Sequence, residues 1–391
     1  MYRVVKMKKT ILISCYGLGI GGIEKCLVNM INHLDMNKYA VDILLMNEEL
    51  ELKEQIHQKV SYLPTYKYVY NTSETKETII ENGVMSYIVF RILNKYGISP
   101  WKIFKRVKKK YDIAIAYSQN DFSAYYVIDK VQADKKFLWY HNGAYERKGT
   151  LYKRDQKYYA KFDNIVAVSQ ACKKILDQKF PEIKEKIVIL HNFIDDDQIV
   201  NLANEAVESI FFPENKISLL TVGRMSYEKG PDLAVEACSC LIKEGYDVVW
   251  YWIGDGIEKR KIINKIKERG LEKRFYLLGN RNNPYKYMKR CDIYVQPSRY
   301  EAYCTTTNEA RILAKAIVAT RVGGMDEQII DNETGYLVDI NIDAICHKIK
   351  ELIKNPDKRI RVEKKLQNIQ EDFKRYRKEY DDLFDNISVK R

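Results

Sequence analysis

A chain of 391 residues is too long for one ordinary domain, and two domains of about 150–200 residues each are expected. Hydrophobic residues make up 46% of it, enough for sizeable cores, which excludes wholesale disorder. The net charge of +13 suits nucleic acid, an anionic membrane face or phosphate-bearing ligands without choosing among them.

Lys6, Lys8 and Lys9 precede Ile11–Leu12–Ile13 and Cys15, loosely like a secretory or lipoprotein leader. The apolar run falls short of the about 7–15 residues such a leader needs, so it reads as a first strand. No stretch approaches the about 18 apolar residues of a membrane span. Further short, β-branched runs follow at Val41–Met46, Tyr111–Tyr117, Phe137–Tyr140, Ile165–Val168 and Ile187–Leu190, with helical patterns at Ile23–Leu34 and Gln170–Lys179. Such runs fit parallel strands covered on both faces.

The alternation restarts after Pro213, with strands Ile217–Val222, Val248–Ile253, Phe275–Leu278, Ile293–Gln296 and Ile317–Thr320. Helices are predicted over Pro231–Glu244, Lys259–Arg269 and Thr306–Lys315. Repeated βαβ units imply right-handed crossovers and doubly wound sheets. The expected fold is α/β, with two Rossmann-like lobes facing across a cleft: residues 1–212, 213–370, and a charged terminal helix, 371–391, packing back on the first lobe. The cleft, outside the carboxyl ends of the strands, is the default site. The eight cysteines (Cys15, Cys26, Cys172, Cys238, Cys240, Cys291, Cys304, Cys346) show neither metal-ligand spacing nor a compact disulfide framework. Scattered thiols favour a reducing cytoplasm.

Gly17-Leu18-Gly19-Ile20-Gly21-Gly22 satisfies the dinucleotide fingerprint literally, but Glu48 and Glu49 come late for its ribose-binding acid. It reads as an anion- or substrate-facing loop, or as a structural turn, with Gly21 and Gly22 at the helix start. The second lobe opens with Val222-Gly223-Arg224-Met225-Ser226-Tyr227-Glu228-Lys229-Gly230. Arg224 and Lys229 beside a helix start would neutralise a diphosphate, unless Arg224 simply pairs with Glu228. Glu301 follows a strand end and Glu309 lies early in the next helix. Thr306 and Glu309 have the spacing of a capping box. The same geometry would put N–H groups of Thr305–Thr307 on a phosphate, with carboxylates on sugar hydroxyls. Asp195-Asp196-Asp197 has the look of a metal motif but falls after the last strand of the first lobe, as an interlobe loop.

Taken in order, Val222–Gly230, Trp252-Ile253-Gly254-Asp255-Gly256, Leu278-Gly279, Cys291–Ser298, Glu301 with Glu309, Gly323-Gly324 and Thr334–Val338 resemble glycosyltransferase family 4. Gly21-Gly22-Ile23-Glu24, Tyr140-His141-Asn142, Ala167-Val168-Ser169 and His191–Asp195 fit the family more loosely. The resemblance implies the GT-B fold, no metal or other cofactor, and retention at the anomeric carbon. It implies that Arg224 and Lys229 hold the donor diphosphate, that Glu309 accepts the ribose hydroxyls and that Glu301 lies against the donor sugar. It also implies that backbone near Thr305 and Thr306 meets the phosphates, that the base rests near Gly279–Asn280, and that His141 faces the reacting sugar. Ala302 and Cys304 stand where many members have glycines, which makes donor identity uncertain at that point.

By the same resemblance, the reaction moves a sugar from a UDP- or GDP-sugar to a glycan or lipid-linked acceptor in surface polysaccharide synthesis. A non-catalytic binding subunit and a nucleotide-sugar epimerase are the alternatives. Two basic-aromatic stretches, Trp101–Lys110 and Lys148–Lys161, suit an anionic membrane surface at the inner face of the cell membrane, or solvated helix faces. No nucleic-acid module is recognisable.

Overall fold

The computed structural model describes residues 8–47, 49–63, 99–119, 122–207, 212–213, 215–367 and 370–385. Glu48, Lys6 and the stretch 208–211 lie outside them.

The first lobe is a seven-stranded parallel sheet in the order β3-β2-β1-β4-β5-β6-β7. Its strands are β1 (Lys9–Cys15), β2 (Tyr39–Leu45), β3 (Ser61–Tyr62), β4 (Lys110–Ala116), β5 (Gln132–Tyr140), β6 (Asn164–Ala167) and β7 (Ile187–Ile189). Between them run α1 (Gly22–His33), α2 (Ser123–Lys130), α3 (Gly149–Tyr159) and α4 (Gln170–Lys179). The second lobe repeats the plan in six parallel strands, β10-β9-β8-β11-β12-β13. These are β8 (Ile217–Val222), β9 (Val248–Ile253), β10 (Phe275–Gly279), β11 (Ile293–Gln296), β12 (Ile317–Thr320) and β13 (Tyr336–Val338), with α6 (Pro231–Lys243) after β8 and α7 (Lys259–Glu268) after β9. Strand order reverses between β1 and β4 in one lobe and between β8 and β11 in the other, and such switch points open a crevice at the strands' carboxyl ends.

Strand composition explains the layers. Every residue of β9 (VVWYWI) is buried, as a central strand covered on both faces requires. Its Trp250 and Trp252 anchor the second core, while Trp139 and Tyr140 of β5 serve the first. Each large buried ring removes about 150–250 Å² from water and dominates its core.

Two features tie the lobes together. Helix α5 (Asp196–Ala203) buries Ile199 and Ala203 with Tyr285 of α8 (Tyr285–Arg290), so it belongs by packing to the second lobe. The chain therefore crosses over near residues 191–195, earlier than the predicted boundary after 212. Asp195-Asp196-Asp197 is a helix start, not the loop expected: the Asp195 carboxylate accepts the Gln198 N–H at 2.9 Å. Arg377 forms ion pairs with Asp196 and Asp197, so a cation already occupies this acidic cluster. At the far end, α11 (Ile342–Lys354) and α12 (Pro356–Leu366) finish the second core. Helix α13 (Gln370–Asp385) then lies on the first lobe. Tyr380 and Phe384 join the first core, and the Tyr380 hydroxyl donates to the His191 carbonyl at 2.8 Å.

The basic-aromatic stretches resolve into separate parts. Trp101, Phe104 and Tyr158 are core residues, with the Trp101 indole N–H and the Tyr158 hydroxyl both donating to Asp129. The lysines remain exposed while Tyr152 is half-buried, so charge outweighs aromatic surface on these stretches. No helix among the described residues is long and apolar enough to cross a membrane.

Candidate active site between the lobes

The loop after β8 carries Arg224 and Lys229 and is closed by Gly230 and Pro231. Gly230 has φ +67°, and a side chain there would also run into the Pro297 carbonyl after β11. Pro231 occupies the first turn of α6 (Pro231–Lys243), where its missing N–H costs no helical bond. The loop is thus pinned against the end of β11, directly at the switch point.

Lys229 does not project into solvent. Its ammonium lies 2.7 and 2.9 Å from the two carboxylate oxygens of Glu301. Ser298 donates to one of the same oxygens at 2.6 Å, Gln296 to Ser298 at 2.8 Å, and Tyr294 to Gln296 at 2.7 Å. Burial pulls the Lys229 pKa down, but the adjoining Glu301 charge outweighs it and leaves the ammonium above its ordinary value. The pair is charged and oriented by a buried polar chain that sequence reading did not find. Its members, Tyr294, Gln296 and Ser298, alternate on β11 and beyond, a period-two signal that only the sheet makes meaningful. Arg224 is exposed and forms no salt bridge among the described residues, so the simple Arg224–Glu228 pairing is not what the fold adopts.

The capping-box reading of Thr306 and Glu309 is also overturned. Helix α9 (Thr305–Ile312) has Cys304 at its N-cap, and Thr306 turns its hydroxyl to Gln296 at 3.3 Å. Glu309 makes no bond back to the N-cap; its carboxylate accepts from the Tyr285 hydroxyl at 3.1 Å. The N–H groups of Thr305 and Thr306 consequently have no acceptor among the described residues, as the first turn of a helix leaves them. Asn280 is exposed at the end of β10, after Gly279, whose carbonyl accepts the Gly254 N–H at 2.9 Å.

The first lobe closes over this surface. A Cβ added to Gly22, at the start of α1, would stand 3.0 Å from the Thr305 hydroxyl. Gly21 is the extended N-cap residue of the same helix. Lys25, one turn on, reaches to 3.6 Å from Glu309. After β5, the loop His141–Gly143 packs on Glu301 so tightly that a Cβ on Gly143 would lie 2.5 Å from the Glu301 carbonyl oxygen. His141 is buried, its backbone N–H bonded to the Gln119 side chain at 3.0 Å. Among the described residues, neither ring nitrogen meets a partner in hydrogen-bond geometry. Burial drives its pKa down to about 4, against the smaller opposing pull of the Tyr117 backbone and Asn192, so the imidazole is neutral at pH 7. Ala302, between the two glutamates, avoids positive φ, as a residue with a Cβ should.

A third contact spans the lobes at α4. Glu327, in α10 (Met325–Gln328), accepts the N–H groups of Gln170 and Ala171 at 2.8 and 2.9 Å, a carboxylate on a helix N-terminus.

Residues 20–198 match the family model described as Glycosyltransferase Family 4, and residues 203–369 match Glycosyl transferases group 1. A relative from Campylobacter jejuni, N-acetylgalactosamine-N,N'-diacetylbacillosaminyl-diphospho-undecaprenol 4-alpha-N-acetylgalactosaminyltransferase, is 27% identical over 345 residues, 84% of this chain and 86% of that one. Poly(ribitol-phosphate) alpha-N-acetylglucosaminyltransferase of Staphylococcus aureus is 25% identical over 327 residues, 74% of this chain and 64% of its own length. Among solved structures, Anabaena HepE in complex with UDP and glucose is similar with a TM-score of 0.72 at 17% identity, covering 96% of this chain and 99% of that one. A glycosyltransferase from Rickettsia africae gives 0.72 at 21% identity over 97% and 98% of the two chains. The two lobes have the GT-B fold of these proteins.

Proposed function

The chain belongs to glycosyltransferase family 4, and from that premise we propose that it moves a sugar, with retention, from a UDP- or GDP-sugar to a glycan or lipid-linked acceptor in surface polysaccharide synthesis. The observation that carries this reading is the Lys229–Glu301 pair at the β8/β11 switch point, beside the open N–H groups of Thr305 and Thr306. A cation and a helix N-terminus converging there suit a diphosphate, and a fixed carboxylate beside them suits sugar hydroxyls.

In this mechanism Arg224, Lys229 and the α9 N-terminus bind the diphosphate and take up the charge that grows on it as the anomeric C–O bond breaks. Preorganised charge of this kind gains most in a closed, water-poor cleft. Glu309 holds the ribose hydroxyls, with the base near Asn280. Glu301 holds the sugar, and the neutral His141 ring faces it from the first lobe. The acceptor oxygen bonds to the anomeric carbon on the face the phosphate leaves, and its proton passes to the departing phosphate oxygen. No carboxylate is assigned as nucleophile, unlike the two-carboxylate scheme of glycoside hydrolysis. Support for a UDP donor and a lipid diphosphate acceptor comes from the HepE complex and from the diphospho-undecaprenol in the Campylobacter relative's name.

A thermal-shift screen of UDP- and GDP-sugars tests the reading. A ligand at 100 times its Kd adds about 2.7 kcal/mol to stability. Lys229→Ala should abolish the shift and the turnover. Full stabilisation and turnover in that variant would overturn the phosphate assignment.

A further inference from the structure

Glu309 is 5% exposed, and burying a carboxylate is costly unless a cation and hydrogen bonds accompany it. Among the described residues of the second lobe it receives one neutral hydrogen bond, from Tyr285. Its cation comes from the other lobe. Lys25 of α1 stands 3.6 Å from the same Glu309 oxygen that accepts from Tyr285, and 4.4 Å from the centre of the Tyr285 ring. The Lys25 side chain is itself only 25% exposed, so solvent screens this contact less than a surface pair. Two side chains, Lys25 from α1 and Tyr285 from α8, therefore meet at the Glu309 carboxylate of α9, and of the two only Lys25 carries positive charge.

That arrangement exists only while the lobes are closed. Opening the cleft would remove Lys25 and leave Glu309 with Tyr285 alone. We propose that Lys25 is a positioning residue: it fixes the Glu309 carboxylate for the ribose hydroxyls of the donor and so makes ribose recognition depend on lobe closure. The proposal rests on the reading of Glu309 as the ribose acceptor. It assigns to the first lobe a part in donor recognition that nothing in the second-lobe motifs requires. Lys25 does not touch the reacting atoms. Its ammonium, held against the Tyr285 face by cation–π attraction, orients one oxygen and leaves the other for the ligand.

The test uses the full chain, with UDP and 2′,3′-dideoxy-UDP as probes, or GDP and its dideoxy form if guanine binds tighter. The wild-type protein should prefer the diphosphate with intact ribose. Lys25→Met should weaken UDP about tenfold (about 1.4 kcal/mol) and leave dideoxy-UDP unchanged, so the preference collapses. Lys25→Arg, which keeps the charge, should restore most of it. KM for the donor should rise more than kcat falls. If Lys25→Met does not fold, Lys25→Gln carries the same comparison. An undiminished ribose preference in the folded variant overturns the role of Lys25 while leaving the donor site intact. Tight UDP binding by the wild type with no preference for ribose overturns the Glu309 reading, and this inference with it.

Discussion

Lys229 and Glu301 form an ion pair within the cleft, the ammonium within 2.9 Å of both carboxylate oxygens. A diphosphate arriving at this site must share Lys229 with a carboxylate already bound to it. Glu301→Gln should therefore leave UDP affinity unchanged or tighter, up to about tenfold, because the lysine is released. Turnover should fall by at least about 100-fold, since the sugar loses a charged contact made in the transition state. Calorimetry beside a turnover assay separates the two. Weaker UDP binding would mean that Glu301 organises the phosphate site and not the sugar.

His141 gives a pH signature. An unfolded histidine titrates near 6.5, whereas burial holds the folded one at about 4. The folded pKa is depressed, so below pH 6.5 the unfolded chain takes up a proton that the native state refuses. The resulting stability is fully present above pH 6.5 and drains away as pH falls toward 4. At pH 5 the loss should be about 2 kcal/mol relative to pH 7. Urea midpoints of the wild type and His141→Asn, compared at the two pH values, isolate this term. Equal pH slopes in the two proteins would contradict a buried neutral imidazole.

Gly143 tests closure. A methyl group there would meet the peptide joining Glu301 to Ala302 at 2.5–2.9 Å, closer than real contacts allow. Gly143→Ala should keep the lobes folded but hold them apart, lowering kcat/KM by about tenfold or more, the scale of a small misplacement at a reacting centre. Small-angle scattering with and without UDP should show a larger radius in the variant. Wild-type compaction would count against it.

Glu327 caps a helix of the opposite lobe, and His191 lies 3.6 Å from the same carboxylate. Burial raises the Glu327 pKa, but His191 and the two N–H groups pull it net below its usual range. The contact is thus present above the ordinary carboxylate pKa and lost as pH falls through the lowered one. Glu327→Ala should cost about 1 kcal/mol, as other N-cap deletions do, and should widen the cleft. A chemical-denaturation curve and a donor KM check both parts.

Trp101 separates fold from membrane. Trp101→Ala should destabilise the first lobe by about 3–5 kcal/mol, as a fully buried ring lost to a cavity does. Replacing Lys102, Lys105 and Lys108 by Gln should leave stability within about 0.5 kcal/mol. If charge draws the protein to anionic vesicles, the triple variant should lose salt-sensitive pelleting. Unaltered pelleting would remove these lysines from any membrane face.

Much of the architecture was legible in the sequence. Ile217–Val222, Val248–Ile253, Ile293–Gln296 and Ile317–Thr320 are strands within the predicted bounds, because short β-branched runs between helical periods have few other solutions. The same logic failed for β13, three residues long, and for α5, where three aspartates suggested a loop although Asp195 is an N-cap. At the site, residue types pointed to Lys229, Glu301 and Glu309, but their pairing was not readable. Lys229 and Glu301 are 72 positions apart, and only the parallel β8–β11 register brings them together. Thr306 and Glu309 had the spacing of a cap, yet Gln296 and Tyr285 offered each a better tertiary partner. The part played by Lys25 and Gly143 depends on how the lobes meet, for which a linear sequence holds no period.

The chain passes between the lobes near residues 191–195 and returns before Tyr380 docks beside His191. The terminal helix is thus fastened beside the very segment where the chain changes lobes. It acts there as a clasp, and cutting the chain before Tyr380 would free that crossing from the body it rests on.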